Sequence, residues 1–368
     1  MSGMPSINIK FTELAASAIK RGDRGIIAMI IKESSVPTTN PVVCASVADI
    51  PNALSAANKK QLEFALTGYV NTPKKVIAYV IPATVTTGTG NDAVTTDNTD
   101  YTDALNYFKT IQWNYLVVPT VTTDAQTSTV ANYIKTERTN NKLVKAVLPN
   151  VSGDHEGIIN YTTTGVKIDD TTYTAEQFCA RIAGIIAGTP LKMSATYASI
   201  PEASDCTRLT KSEMDTAVAA GKFFVWWDGE KVKTSRAVNS LTTLTSEKNT
   251  QFQKIKIVEA MDMITDDIRK TCEDDYIGKF PNTYDNKQLL LGAINAYFDQ
   301  LIIDGVIDRY SIDIDIAANR TYLAGKGVDV SEMTDEEIKM ANTGSNVYLA
   351  GTVGMLDVIE DIKLELNI

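Results

Sequence analysis

Apolar and polar residues alternate at both ends of this chain. The apolar positions are Ile7, Ile9 and Phe11 near the start, and Ile362, Leu364, Leu366 and Ile368 near the end. A period of two places such side chains on one face of an extended strand. A terminal strand exposes a row of backbone donors and acceptors, so it must pair with an edge in its own chain or in another. We therefore predict two terminal strands that act as arms, and the pattern leaves both kinds of pairing open.

Between the arms, the apolar pattern predicts a mixture of strands and helices. The run 26–31 is typical of a buried strand, 52–68 of a helix that Gly68 ends, and 76–82 of a second strand. The segment 84–100 is rich in Thr, Gly and Asn and has no core-forming residues, so we expect an exposed loop or a domain boundary there.

From about residue 100 onward, helical and strand patterns alternate, which predicts an α/β layer. The predicted helices cover 103–111, 124–140 and 175–187, and the strands 115–119 and 143–149. Capping boxes at Thr174 to Gln177 and at Thr210 to Glu213 mark two helix starts, and Asp228-Gly229 between two apolar runs predicts a hairpin.

The last third is predicted to fold as a separate α+β region. It contains helical patterns over 250–272 and 285–303, a strand pattern over 310–317, a capping box at Thr334 to Glu337, and strand patterns at the end. The expected fold class is therefore α/β and α+β in several domains.

Composition and charge exclude several classes of function. The 368 residues are 44% apolar, which suffices for a large core, and the net charge of −10 argues against a nucleic-acid or anionic-membrane surface. The start lacks a signal-peptide pattern. The four cysteines are far apart with no CxxC spacing, so we expect buried, reduced thiols in a cytosol.

Candidate catalytic chemistry is sparse. The single histidine, His155, stands next to Asp154 and close to Ser152, but a Ser-His-Asp site needs groups that converge from separate places, so a solvated turn is favoured. No GxSxG elbow or complete phosphate loop occurs, and the acidic clusters lack the spacing of a calcium loop. We predict no cofactor and no metal. A sizeable chain without such a site, but with two arms, favours self-assembly.

Residues 235–308 resemble the C-terminal region of contractile phage tail sheath proteins, of the type found in phages and bacteriocin-like particles of Gram-positive bacteria. The resemblance is carried by VNSLTTLT (238–245), KIVEAMDMITDDIR (256–269) and DDYIGKFPNTYDNK (274–287), and covers about residues 100–368. It implies a middle domain distantly like subtilisin without protease residues, and a C-terminal domain that forms the inner sheath layer around a tail tube. It also implies that both arms add strands to neighbouring subunits.

The resemblance implies a subunit that polymerises helically in stacked rings, contracts once and has no catalytic activity. The implied partners are other copies, the tail tube protein, and the baseplate and terminator proteins, with assembly in the cytoplasm of a bacterial host. We place an N-terminal arm at 1–20, a small region at 21–95, the middle domain at 96–245, the C-terminal domain at 246–357 and the C-terminal arm at 358–368. Candidate hinges are Gly344, Gly351 and Gly354, just before the last strand. The alternatives are a hydrolase that uses His155, and a self-assembling scaffold that does not contract.

Overall fold

The computed structural model describes residues 18–22, 24–88 and 92–367, which fall into two compact units. The large unit comprises Gly22–Met263 and Asp357–Ile368, and the small unit comprises Met1–Arg21 and Ile264–Leu356. The predicted arm positions Ile7, Ile9, Phe11 and Ile368 lie outside the described residues.

Before residue 250, the described part of the large unit contains thirteen strands and five α-helices. The strands are β1 (Ile26–Glu33), β2 (Val42–Cys44), β3 (Lys75–Pro82), β4 (Thr84–Thr87), β5 (Val94–Asp97), β6 (Tyr115–Val117), β7 (Lys145–Pro149), β8 (Ile158–Tyr161), β9 (Val166–Ile168), β10 (Thr171–Tyr173), β11 (Lys222–Phe223), β12 (Val225–Trp227) and β13 (Val232–Thr234). The helices are α1 (Ala56–Thr67), α2 (Thr102–Lys109), α3 (Thr127–Thr139), α4 (Ala175–Ala187) and α5 (Lys211–Ala219).

A seven-stranded sheet in the order β11-β8-β7-β6-β1-β3-β2 forms the centre of the large unit. Its strands pair in parallel, except that β2 runs antiparallel to β3. Successive residues of β1 face opposite sides: Ile27 packs in the layer that contains α1 and α4, and Ile26 in the layer that contains α2 and α3. Helices on both faces explain why β1 is apolar over its first six residues, Ile26 to Ile31, because a strand in a covered parallel sheet has no solvent side.

The structure differs from the sequence-based expectation in the first hundred residues. The predicted boundary at residue 95 separates strands that the structure joins, because β1 pairs with β3 on one side and with β6 on the other. Within the segment 84–100, expected to be an exposed loop or a domain boundary, β4 and β5 pair antiparallel and are exposed. Its Thr and Val residues favour extended backbone even where they bury no core. The other domain boundaries stay predictions.

The local signals in the middle of the chain predicted their elements correctly. Both capping boxes are present, at Thr174 with Gln177 and at Thr210 with Glu213. The predicted hairpin is formed by β12 and β13, and Gly229 in its turn has a φ of +107°. Positive φ is costly for residues with a Cβ, which explains glycine at this position.

The small unit follows the helix α6 (Ile255–Thr271), whose first turns belong to the large unit. A π-helical turn, Cys272–Tyr276, follows α6. The other elements are α7 (Tyr284–Ile303), β14 (Ile307–Ile314), α8 (Ile316–Gly325), α9 (Asp335–Met340) and β15 (Leu349–Met355). The predicted helix 250–272 begins later than expected, since residues 250–253 form a 3-10 turn. The strands β14 and β15 pair antiparallel as a two-stranded sheet.

The mixed α/β and α+β fold predicted from the sequence is confirmed, while the likeness of the middle domain to subtilisin stays a prediction. The thiols of Cys44, Cys179, Cys206 and Cys272 are free, and the first three are buried. In the described part of the chain, no helix combines the length and the apolar character that crossing a bilayer requires.

Candidate functional site

The alternating apolar stretch of the C-terminal arm, residues 362–367, follows β15 and a short connecting segment. Its apolar side chains are almost fully exposed: 82% for Ile362, 75% for Leu364 and 78% for Leu366. Within the residues that the structure describes, this segment pairs with no strand. In a single chain the apolar face of the arm is therefore exposed to water. This exposure costs free energy, which burial against a partner would recover.

The base of the arm, Asp357–Asp361, is held on the large unit by charged side chains. The carboxylate of Glu360 accepts a hydrogen bond from the Thr196 hydroxyl at 2.6 Å and one from Lys254 Nζ at 2.9 Å. Arg236 Nε lies 3.5 Å from Glu360 Oε2, and the Glu360 side chain is only 7% exposed. Lys254 also pairs with Asp357.

Arg236 connects two consecutive carboxylates at this base. Its Nη2 lies 2.6 Å from Oδ1 of Asp361, whose side chain is 78% exposed. The hydrogen bond from Arg236 lowers the pKa of Asp361, and the same bond raises the pKa of Arg236. Burial lowers the pKa of Lys254, but the carboxylates of Asp357 and Glu360 outweigh it and leave this pKa raised. The base is thus a network of oppositely charged side chains in which Arg236 and Lys254 each contact two carboxylates.

The two-stranded sheet of the small unit presents backbone edges that could accept a further strand. β14 and β15 pair from Ile307 with Met355 to Ile314 with Leu349, and neither pairs with a third described strand. Most side chains of both strands are exposed or half-buried. An unpaired strand edge of this kind is a template for β-augmentation by an extended segment.

The three candidate hinge glycines lie in two different settings. Gly344 has a φ of +63° in the loop before β15, a conformation that favours glycine. Gly351 and Gly354 lie inside β15, where an added Cβ would collide with the backbone oxygen of Ser311 and with the end of the flexible Asp308 side chain, respectively. Close approach of the β14 backbone is thus sufficient reason for glycine at position 351, and the hinge role of both glycines stays a prediction.

His155 lies in a loop whose polar groups bond to backbone. Its Nδ1 accepts a hydrogen bond from Gly157 N–H at 3.0 Å, while the Ser240 hydroxyl bonds the backbone N–H and C=O of His155. Asp154 accepts bonds from Thr242. Burial lowers the pKa of His155 to about 4. Among the described residues the imidazole therefore has no hydrogen-bonded hydroxyl to activate, contrary to what the hydrolase alternative requires.

The acidic pair Asp313 and Asp315 serves local structure. Asp313 forms an ion pair with Lys339 at 2.8 Å, and Asp315 caps α8 by accepting a bond from Ala318 N–H. Over the described ranges, the structure assembles no group of three or more His, Cys, Asp or Glu side chains with metal-site geometry.

Sequence reasoning missed a cluster of buried charges where β6 and β7 begin. Glu259 of α6 accepts a hydrogen bond from the Tyr115 hydroxyl and pairs with Arg24. Burial and the Glu259 carboxylate raise the pKa of Tyr115 well above its ordinary value. Lys145 pairs in the same cluster with Asp262, one turn further along α6. The only signal in the sequence was that Glu259 and Asp262 are spaced to lie on one face of a helix. The same spacing is also typical of a solvated helix face, so it did not indicate burial.

Comparison with known proteins gives the family of this chain. A family model described as the phage tail sheath protein central domain matches residues 95–240, and one described as the phage tail sheath C-terminal domain matches residues 247–368. The tail sheath protein of Clostridium phage phiCD119 is 36% identical over 369 residues, covering 100% of both chains. The phage-like element PBSX protein XkdK of Bacillus subtilis is 31% identical over 233 residues, which are 60% of this chain and 49% of that protein.

Solved structures share the fold at low sequence identity. The sheath tail protein from Desulfitobacterium hafniense superposes with a TM-score of 0.70 and 18% identity, over 95% of this chain and 100% of that chain. The helical sheath of the anti-feeding prophage in its contracted state gives a TM-score of 0.67 and 13% identity, over 100% and 99%. The two family models and the full-length relative show that this chain belongs to the phage tail sheath family.

Proposed function

We propose that this chain is the structural subunit of a contractile tail sheath, polymerising helically around a tail tube and linked to its neighbours by strand exchange of the terminal arms. The observation that carries the proposal is the C-terminal arm: its alternating apolar residues Ile362, Leu364 and Leu366 are exposed and unpaired among the described residues. Membership of the sheath family supports a role in assembly.

The acceptor of the arm, in this proposal, is an open edge of the β14–β15 sheet in a neighbouring copy. Backbone hydrogen bonds would supply the affinity, and the alternating side chains of the arm would set the register. A contact between unlike surfaces that does not close on itself generates a helix of subunits. The N-terminal arm, with Ile7, Ile9 and Phe11, is proposed to act in the same way.

Contraction requires two packings of nearly rigid subunits, with the extended packing metastable. A small free-energy difference per subunit, summed along the tube, would drive the transition, while the arms keep the subunits connected. The tail tube, baseplate and terminator proteins are the proposed partners, and assembly is proposed to occur in the cytoplasm of the bacterial host. We propose no catalytic role, and the backbone contacts of Ser240 around His155 support a structural one.

Electron microscopy of two chains tests the proposal: the full-length protein and a version that ends at Asp361. The shortened chain keeps the ion pairs at the base of the arm, so we expect it to fold with an unchanged melting temperature but to form no tubes or rings. The full-length chain is expected to form them. Equal assembly of both chains, or a large loss of stability on shortening, would contradict linkage by this arm.

A further inference from the structure

The side chains around Glu360 form a preorganised site for one carboxylate, which we call the Glu360 socket: Thr196, Arg236 and Lys254. The hydroxyl of Thr196 bonds to one carboxylate oxygen, and Lys254 and Arg236 approach the other. Thr196 is itself held in place, since its Oγ1 accepts a bond from Ala237 N–H at 3.0 Å and lies 2.9 Å from Ser194 Oγ. Both oxygens of Glu360 are therefore matched by donors in fixed positions.

The Glu360 side chain is far less exposed than the apolar side chains on either side of it. The Glu360 side chain is 7% exposed, whereas Ile359 before it is 86% exposed and Ile362 after it is 82% exposed. A buried carboxylate is costly unless it is paired and hydrogen-bonded, and removing a partner leaves the remaining charges uncompensated. The enclosed carboxylate of Glu360 thus fixes an otherwise largely exposed segment to the body of the subunit.

We propose that Glu360 is the anchor of the C-terminal arm, and that the Glu360 socket keeps the base of the arm on the body of its own subunit, so that only residues from Ile362 onward are free to reach a neighbour. This inference rests on the proposed function only for what the free residues do. The anchoring itself is a property of the single chain.

The anchor sets the reach of the arm. Seven extended residues, 362–368, span about 23 Å, whereas the twelve residues 357–368 would span about 40 Å. The socket thus shortens the free connection by about 17 Å. A fixed, short connection restricts which neighbouring edge the arm can pair with, and it places the pivot of the arm at Ile362.

Limited proteolysis with a glutamate-specific protease tests the anchor in the unassembled chain. The enzyme can cut after Glu360, in the socket, and after Glu365, which is exposed and provides an internal control in the same segment. We expect cleavage after Glu365 to be at least about tenfold faster, because cleavage after Glu360 requires the socket to open first. Equal rates at the two sites would overturn the proposal.

Two substitutions on different sides of the carboxylate sharpen the test. Lys254→Met removes an ammonium partner, and Thr196→Val removes the hydroxyl that bonds Glu360, together with its contacts to Ala237 N–H and Ser194 Oγ. Both variants are expected to raise the rate of cleavage after Glu360 about tenfold without changing the rate of cleavage after Glu365. The control Lys192→Met, at an exposed lysine of the same unit, should change neither cleavage rate. If neither socket variant changes the ratio, the carboxylate contacts do not hold the arm.

The same digestion of assembled tubes separates this inference from the proposed function. We expect Glu360 to stay protected in the polymer, and loss of protection on assembly would overturn a permanent anchor. Absence of any polymer would contradict the proposed function, while the result on the unassembled chain would still decide whether Glu360 is anchored.

Discussion

Lys145 Nζ lies 2.6 Å from Oδ2 of Asp262, and the two side chains are only 3% and 9% exposed. The same carboxylate accepts two bonds from Arg138, at 2.8 and 2.9 Å. Asp262 of α6 is thus the nearest counter-charge of both cations, and a second carboxylate lies further from each: Glu156 at 3.7 Å from Arg138 and Glu259 at 3.9 Å from Lys145. Removing one member of a buried ion pair is costly because the other charges stay behind without compensation.

Asp262→Asn should therefore destabilise the protein by about 3–5 kcal/mol, measured from urea unfolding. The matched control is Asp215→Asn, which breaks the exposed pair with Lys211, whose side chains are 80% and 63% exposed. The control should lower the free energy of unfolding by at most about 0.5 kcal/mol. Similar effects for the two variants would mean that Asp262 is not needed to balance the buried cations.

His155 should make the protein less stable in mild acid. Its pKa falls from an ordinary value of 6.5 to about 4 because burial disfavours the charged ring, with Arg138 and Lys248 nearby opposing the effect of Glu156. The unfolded chain then binds the proton at a higher pH than the folded one. Stability from the neutral ring is complete above pH 6.5 and is lost as the pH falls towards 4, by at most about 3 kcal/mol.

His155→Gln tests this pH dependence, because glutamine offers an acceptor to Gly157 N–H but does not titrate in this range. Urea midpoints of both proteins at pH 7 and pH 4.5 should show a smaller acid loss for the variant. If the variant loses as much stability between pH 7 and pH 4.5 as the native chain, other groups cause the acid sensitivity. Glu156 is one such group, because its pKa is lowered although burial acts to raise it.

Two glycine substitutions should have opposite effects on the small unit. Gly351→Ala places a methyl group against the backbone oxygen of Ser311, which cannot move aside as a side chain could, so we expect a loss of about 1–3 kcal/mol in the free energy of unfolding. Gly292→Ala lies in the exposed face of α7 with nothing within 4 Å, and should stabilise by up to about 1 kcal/mol. Thermal unfolding measures both. A neutral Gly351→Ala would weaken the packing explanation and favour the hinge.

The two faces of the arm should differ in their importance for assembly. Leu364→Ser changes a side chain that is 75% exposed in the single chain, so its stability should change by less than about 0.5 kcal/mol. Sedimentation should nevertheless show fewer polymers, because the substituted face is the one that would enter a neighbour. Lys363→Ser, on the alternate face, is the control and should leave polymer formation unchanged. If Lys363→Ser reduced polymer formation more than Leu364→Ser, the face of the arm that carries Lys363 would be the one that contacts the partner.

Local chemistry in the sequence was sufficient to predict several elements and the candidate arm. The capping boxes at Thr174 and Thr210 and the turn at Asp228-Gly229 act within a few residues, so no distant partner is needed to form them. The alternation from Ile362 onward likewise predicted an arm, and the structure leaves its apolar side chains exposed and without a strand partner among the described residues.

Only the tertiary structure decided what depends on distant residues. That β1 joins β3 and β6 in one sheet, that Glu360 is enclosed between Thr196 and Lys254, and that Asp262 faces two buried cations are all consequences of long-range contacts. The sequence does not distinguish a carboxylate that is solvated in the folded protein from one that is buried. Its environment is set by the side chains that folding brings to it, because desolvation and ion pairing depend on distance in space and not on separation along the chain.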